Sequence, residues 1–340
     1  MSLFSSSHPT LSLGLQGGGA HGAFTWGVLD YLLEDGRVNF DGVSGTSAGA
    51  MNAVVLAHGL ATGGRQGARQ ALHDFWHAVA TRAPIDLTIP SGGGVALMPA
   101  VKLMLQWTHF LSPEQLNPFN FNPLREILEE QVDFDGLRRR SPVNLFVAAT
   151  HANSGKLRMF REHEMTADMV LASACLPSLH HTILIDGEPY WDGGYSANPA
   201  IFPLVYECDC RDILLVMLAP LNHKKTPQTA TEIQARVLEL AFNATFLREM
   251  RMFALMRENL GKWWFPRVTR LARRVHNSRF HIVEAEDFLG ELSADTKLAA
   301  SLGFFETLRD QGRLRARKWL DLHFGAIGRT CSADLAMMFG

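Results

Sequence analysis

Two glycine-rich turns carry residue types that acyl-transfer chemistry requires. The first reads GGGAHG over residues 17–22, and the second reads GTSAGA over residues 45–50. The second turn contains the pattern G-x-S-x-G, in which small neighbours let a serine stand on a turn too sharp for larger side chains. Such a serine becomes a nucleophile when a proton acceptor and donors for an oxyanion lie beside it. The candidate nucleophile is therefore Ser47, flanked by Gly45 and Gly49.

The elements around these turns are expected to bring them to one edge of a sheet. The segments LSLGL (11–15) and NFDGVSG (39–45) are typical of strands, and the segment 23–36 between them is typical of a helix. A strand, a helix and a second strand within about 30 residues form a βαβ unit, whose strands are parallel. Because the carboxyl ends of parallel strands share an edge, the amides of Gly17, Gly18 and Gly19 should face the serine and stabilise an oxyanion.

A proton acceptor for the serine is available in the segment EPYWDGGYSANPAI, where Asp192 precedes Gly193 and Gly194. On its own, Asp-Gly-Gly is typical of an ordinary turn. A Ser–His–Asp triad is the alternative, because His223 follows Asp192 in the chain order of α/β-hydrolases. The pair His180–His181 shortly before Asp192 offers further candidates.

The first glycine turn also fits a nucleotide-binding pattern. Gly17, Gly19 and Gly22 match G-x-G-x-x-G between a strand and a helix, and Asp41 near the second strand is an acid at about the expected distance. A dinucleotide site does not require a serine between glycines at the second turn. The combined pattern therefore favours acyl transfer, with a Rossmann-like dinucleotide-binding protein as the alternative from another class.

Four motifs in order resemble the patatin-like lipid acyl hydrolases of bacteria. They are GGGAHG (17–22), GTSAGA (45–50), ASACLP (172–177) and DGG (192–194), and the resemblance covers about residues 10–220. It implies a serine esterase of the phospholipase A type, with Ser47 as nucleophile, Asp192 as its direct partner, and neither metal nor cofactor. A polyester depolymerase or a thioesterase using the same dyad is the alternative within hydrolases.

One residue departs from the family pattern. His21 stands where the family usually has arginine or lysine, so the role of a permanent positive charge in the glycine turn is in question. The histidine either caps or packs a helix or tunes the oxyanion region. The backbone donors of the turn are unaffected by this replacement.

The remaining signals predict a three-layer α/β/α fold with a mainly parallel, mixed central sheet and a helical cap or C-terminal segment. Further strands are expected at 143–150, 156–161, 182–186 and 212–218, the first two as an antiparallel pair joined by the turn at 153–155. The catalytic core is assigned to 10–220, with 84–123 as an insertion or lid, and the mainly helical segment to 221–340.

Composition excludes some functions and leaves others open. The net charge of −2 over 340 residues gives no general attraction to nucleic acid. The N-terminus lacks the features of a secretory signal and no apolar run approaches a membrane span, so we expect a cytoplasmic protein. Four cysteines in such a chain do not form a disulfide framework, and zinc is not expected.

Two segments in the C-terminal part of the chain have compositions that are relevant to the choice of substrate. The methionine- and phenylalanine-rich helical pattern at 237–256 either covers an acyl pocket or is an ordinary packed helix. The stretch 262–280 joins Trp263, Trp264 and Phe265 to several arginines, which suits peripheral contact with an anionic membrane surface as well as a solvated face. A lipid-binding module without catalysis is a further alternative.

Overall fold

The computed structural model describes residues 8–82, 88–91, 94–101, 111–223, 226–262 and 269–340. A central sheet of eight strands has the path β10-β9-β1-β2-β5-β8-β7, with β6 also paired to β5. The strands are β1 (Thr10–Leu15), β2 (Asn39–Gly45), β5 (Asn144–His151), β6 (Leu157–Arg161), β7 (Ile183–Ile185), β8 (Glu188–Asp192), β9 (Asp212–Val216) and β10 (Arg279–Val283). A separate hairpin joins β3 (Thr88–Ser91) to β4 (Gly94–Leu97).

The sheet is mixed, with a parallel part and an antiparallel part. The neighbours from β10 through β9, β1 and β2 to β5 are all parallel, whereas β6 and β8 pair with β5 in the antiparallel sense. β1 and β9 are buried almost throughout, as expected of parallel strands covered on both faces. The predicted α/β/α class is confirmed, including the antiparallel pair joined by the turn at 153–155.

Helices cover the sheet. They are α1 (Gly22–Asp35), α2 (Ala48–Arg82), α3 (Pro113–Leu116), α4 (Pro123–Gln131), α5 (Phe134–Arg140), α6 (Ala167–Ser173), α7 (Phe202–Tyr206), α8 (Ala230–Lys262), α9 (Arg270–Asn277), α10 (Glu286–Leu289), α11 (Leu302–His323) and α12 (Leu335–Phe339). None of the helices within the described ranges combines the length and the apolar content needed to cross a bilayer.

The segment 221–340 is mainly helical and also completes the sheet. Its strand β10 pairs with β9, and its helix α11 packs along α1. The bond network of Asp212 fixes this arrangement, because its carboxylate accepts from Arg279 and from the Gly328 amide. The segment 84–123 contains the β3–β4 hairpin and α3, while 84–87, 92–93 and 102–110 lie outside the described residues, so its role as a lid stays a prediction.

Candidate active site

The second glycine turn forms a tight connection between β2 and α2. β2 ends at Gly45 and α2 begins at Ala48, so Thr46 and Ser47 alone make the turn. Ser47 has φ of 55°, in the left-handed region that residues with a side chain seldom occupy. Its neighbours are buried while Ser47 itself is partly exposed. The hydroxyl therefore stands at the sheet edge on a strained backbone.

Two buried side chains fix this strained conformation. The Ser173 hydroxyl accepts the Ser47 amide at 2.9 Å, and the Thr46 hydroxyl donates to the Ala197 carbonyl at 2.8 Å. Ser173 belongs to the ASACLP motif at 172–177, and no role was predicted for it. Its contact explains why a small hydroxyl residue is needed there.

Close approach of the backbone requires glycine on both sides of the serine. A Cβ on Gly49 would overlap the Leu15 carbonyl oxygen, and a Cβ on Gly45 would overlap the Gly49 carbonyl oxygen. The obstacles are backbone atoms, which cannot rotate away. The two glycines of the G-x-S-x-G pattern are thus set by the packing of α2 against the end of β1.

Replacing Gly49 by alanine is therefore expected to lower the free energy of unfolding by about 3 kcal/mol, the upper range for overpacking. Gly303→Ala is the matched control, since a Cβ there meets nothing within 4 Å in the first turn of α11. Urea denaturation of both variants measures the difference. A Gly49→Ala protein as stable as Gly303→Ala would contradict the packing described.

Asp192 lies at the end of β8, fully buried. Its Oδ1 accepts the Gly194 amide at 2.7 Å, while Oδ2 is buried without a hydrogen-bond partner among the described residues. Burial raises the pKa of the Asp192 carboxyl to about 7, and the hydrogen bond from the Gly194 amide, together with the nearby Ser47 hydroxyl, opposes that rise. The structure thus brings Ser47 and Asp192 together, and Oδ2 of Asp192 is able to accept a proton.

The glycine turn lies directly beside the serine. A Cβ on Gly17 would be 2.9 Å from the Ser47 Cβ. The Gly17 amide donates to Asn198 Oδ1 at 2.7 Å, so it is already engaged. The amides of Gly18 and Gly19 have no acceptor within the described ranges. Of the three donors expected for an oxyanion, two are therefore free.

A network of side-chain amides holds the start of this turn. Gln16 is fully buried, and its Oε1 accepts the amides of Leu218 and Ala219 at 2.6 and 2.8 Å. Its Nε2 donates to Asn243 Oδ1 at 3.1 Å. Asn198 and Asn243 were missed from sequence because a single asparagine carries no local signal of a contact with residues that lie far away in the chain.

His21 is a buried packing residue in this structure. Its Nε2 lies 2.8 Å from the Thr296 hydroxyl, and its ring meets Phe304 edge-on. Burial and the nearby Lys297 charge lower the pKa of His21 to about 3, so the ring is neutral at pH 7. Of the two sequence-based interpretations, the contacts favour packing. The adjacent Gly22 contacts α2, since a Cβ there would lie 2.7 Å from the Ala48 Cβ.

The turn after Asp192 meets the long helix α8. Gly193 and Gly194 open a short 3₁₀ turn, and a Cβ on Gly194 would overlap the Phe242 ring. Tyr195 stacks near the same ring, with centroids 4.6 Å apart. α8 thus contacts the Asp192 loop through Phe242 and, through Asn243, the side chain of Gln16, which directly precedes the glycine turn.

The histidine alternatives are engaged elsewhere. His223 Nε2 pairs with Glu239 at 3.1 Å, and His181 Nε2 donates to the Asn117 carbonyl at 2.8 Å. Burial lowers the pKa of His180. Among the described residues, no histidine hydrogen bonds to Ser47 or to Asp192.

The acid of the nucleotide-binding alternative lies at the wrong end of its strand. Asp41 is the third residue of β2, near its amino end, whereas the glycine turn follows the carboxyl end of β1. Its carboxylate accepts the Cys210 amide at 2.6 Å and the Asn144 side chain at 3.3 Å. It is therefore too far along the strand to meet a ribose bound at the turn.

A family model described as "Patatin-like phospholipase" matches residues 13–205, more than half of the chain. The chain belongs to this family. The crystal structure of VipD from Legionella pneumophila is similar with a TM-score of 0.43 and 18% identity, covering 93% of this chain and 67% of VipD. The comparison with curated proteins finds no match.

Family membership confirms the resemblance drawn from the four motifs and places the chain among lipid acyl hydrolases in the general sense. The matched segment includes Ser47, Asp192 and the glycine turn. Several supports of this patatin-like site come from beyond residue 205, among them Asn243 and Thr296. The C-terminal segment therefore helps to build the site as well as the sheet.

Proposed function

We propose that the protein is a serine esterase of the phospholipase A type, cleaving carboxylic ester bonds of phospholipids or other acyl lipids. Ser47 is the nucleophile and Asp192 is its proton acceptor, with no histidine between them. The observation that carries the proposal is the strained Ser47 turn beside a buried carboxyl whose pKa is raised to about 7. A carboxylate of that basicity matches a general base that works near neutral pH.

The reaction then proceeds in two halves. The Ser47 Oγ attacks the ester carbonyl carbon while its proton passes to the Asp192 carboxylate, and the carbonyl oxygen becomes an oxyanion. The proton is returned to the alcohol leaving group, which departs and leaves an acyl-serine. Water then attacks the acyl-serine and gives a proton to Asp192, which passes it to the departing Ser47 Oγ as the fatty acid is released.

The free amides of Gly18 and Gly19 are the proposed donors to the oxyanion. Each such donor contributes about 3–4 kcal/mol to lowering the barrier, as judged by removing one. Gly17 acts differently in this proposal, because its amide binds Asn198 and so fixes the orientation of the other two. The Ala48 amide, directly after the nucleophile, is likewise without an acceptor among the described residues and is a candidate third donor.

The test is to label the protein with a fluorophosphonate probe and to map the modified peptide by mass spectrometry. Modification of Ser47, and its loss after heat denaturation, is the expected result, because only an activated serine attacks phosphorus. Modification of another serine, or none in folded protein, would overturn the assignment. A panel of phospholipids, neutral acyl esters, a hydroxyalkanoate polyester and an acyl thioester then distinguishes the substrate classes.

A further inference from the structure

The helix α8 presents two opposite faces with different environments. Its inner face contains Phe246 and Met250, both fully buried, together with Phe242 and Asn243 at the site. Its outer face is apolar yet open to solvent. Exposed fractions there are 46% for Ile233, 60% for Val237, 47% for Leu240 and 53% for Met252.

The spacing places these exposed side chains on one stripe. Positions 233, 237, 240, 244, 248 and 251 recur every three or four residues, which is one face of an α-helix. The stripe from Ile233 to Met252 is about 28 Å long at 1.5 Å per residue. We call these residues, with Ala241 and Met252, the outer stripe. A stripe of this length and composition is typical of a binding surface.

The outer stripe also carries a positive charge that no acid of the described ranges neutralises. Arg248 and Arg251 are exposed and form no ion pair with any residue that the structure describes. The two acids of α8 between Ile233 and Met252 point elsewhere. Glu239 pairs with Arg236 and His223, and Glu249 accepts the amides of Ile201 and Phe202.

We propose that the outer stripe of α8 docks the protein on an anionic lipid surface. Apolar side chains at the boundary of the acyl chains and arginines at the headgroups are the pattern of a helix lying in the membrane interface. Because the inner face of the same helix contacts the Asp192 loop and the Gln16 side chain that precedes the glycine turn, docking brings a lipid surface next to the site. This inference rests on the proposed function, because docking on a lipid surface serves an enzyme whose substrate is a lipid.

Self-association explains the stripe less well. A symmetric dimer across this face would set the arginines of one copy near those of the other, with no acid on the stripe to pair them. An anionic lipid surface supplies the missing negative charge. The described part of the basic stretch 262–280, from which 263–268 are left out, is a smaller candidate for the same task. Arg274 pairs with Asp209 and Arg279 with Asp212, which leaves Arg270 and Arg273 beside one exposed leucine, Leu271.

Vesicle flotation tests the proposal without any need for turnover. Ser47→Ala protein is mixed with vesicles of phosphatidylcholine alone or of phosphatidylcholine with phosphatidylserine, at low and high salt. We expect binding to the anionic vesicles only, weakened by salt. Adding Arg248→Gln and Arg251→Gln should reduce partitioning about 30-fold, and adding Val237→Ser with Leu240→Ser should also reduce it.

The matched control carries Arg317→Gln and Leu322→Ser, an exposed arginine and an exposed leucine of α11. It should bind as the parent does. Equal binding to neutral vesicles, arginine variants that bind like the parent, an equal loss in the control, or a dimer that the stripe variants dissociate would each overturn the proposal. A protein that fails fluorophosphonate labelling yet floats as described would contradict the proposed function alone.

Discussion

Replacing Asp192 by asparagine is expected to lower kcat for a soluble ester on the order of 10³-fold or more, because the variant keeps the shape of the side chain but cannot accept a proton. Asparagine can still accept the Gly194 amide through Oδ1, as the carboxylate does at 2.7 Å. Its other polar atom, in the place of Oδ2, becomes an NH₂ group facing the serine side. Turnover on a chromogenic short-chain ester measures the loss.

The same variant should be more stable than the parent at pH 8. Because the folded pKa of Asp192 is raised to about 7, its stabilising contribution is full below the unfolded pKa of about 3.9 and is lost as pH rises through 7. Above that pH the parent carries a buried charge that Asp192→Asn lacks. Thermal unfolding should show a gain on the order of 2–4 kcal/mol at pH 8 that disappears near pH 4.

Two comparisons make this prediction specific to the dyad. His223→Ala should keep most of the turnover, because His223 pairs with Glu239 and not with Asp192. The double variant Ser47→Ala/Asp192→Asn should be no slower than Ser47→Ala, as expected of residues that act as a unit. A His223→Ala protein that folds but has lost turnover would restore the triad and remove Asp192 from its role as direct base.

The βαβ start of the fold was accessible from sequence because its signals are local. β1, α1 and β2 lie within one residue of the expected bounds, and α1 ends at Asp35 with Gly36 as its cap, which adopts φ of 78° as a helix-ending glycine does. Gly59 does not end the next helix in this way, since α2 continues to a break at Gly63–Gly64. Gly59 instead serves packing, because a Cβ there would overlap the backbone of Ala68.

Strands that form only by pairing with distant parts of the chain could not be predicted from local sequence signals. No strand was predicted at RFHIV (279–283), of which the first two residues belong to the basic stretch 262–280, yet it forms β10 because β9 offers an open edge to it. No strand was predicted at 188–192 either, although β8 carries Asp192 to the site. β-strands are decided by pairing and burial more than by intrinsic preference.

The residues of the site also fall into two groups, those that local motifs predict and those that depend on distant contacts. Ser47, Asp192 and the glycine turn belong to compact motifs whose spacing indicates chemistry, so they could be named before any coordinates. Asn198 and Ser173 act through single hydrogen bonds to backbone amides of the site. Their role exists only once the fold brings segments more than a hundred residues apart into contact. Burial was equally decisive for His21, whose surroundings make it neutral.

The pH dependence of kcat/KM is expected to follow the ionisation of Asp192. The carboxylate form is the base, and its pKa is raised to about 7, so the rate should rise tenfold per pH unit below 7 and level off above it. At pH 5 the rate should be about a hundredfold below the plateau. Steady-state kinetics with a soluble ester across this range measures the profile.

A second buried carboxyl, that of Glu249, could produce an inflection at the same pH as Asp192. A variant of Glu249 distinguishes the two groups. Burial also raises the pKa of Glu249 to about 7, where it accepts the amides of Ile201 and Phe202 close to Asn198. Glu249→Gln should retain the inflection near 7, because glutamine still accepts amides and Asp192 still titrates. A profile that becomes flat in Glu249→Gln, or a parent profile with its inflection near the ordinary carboxyl pKa of about 4, would show that the buried Asp192 carboxyl is not the group that limits the reaction.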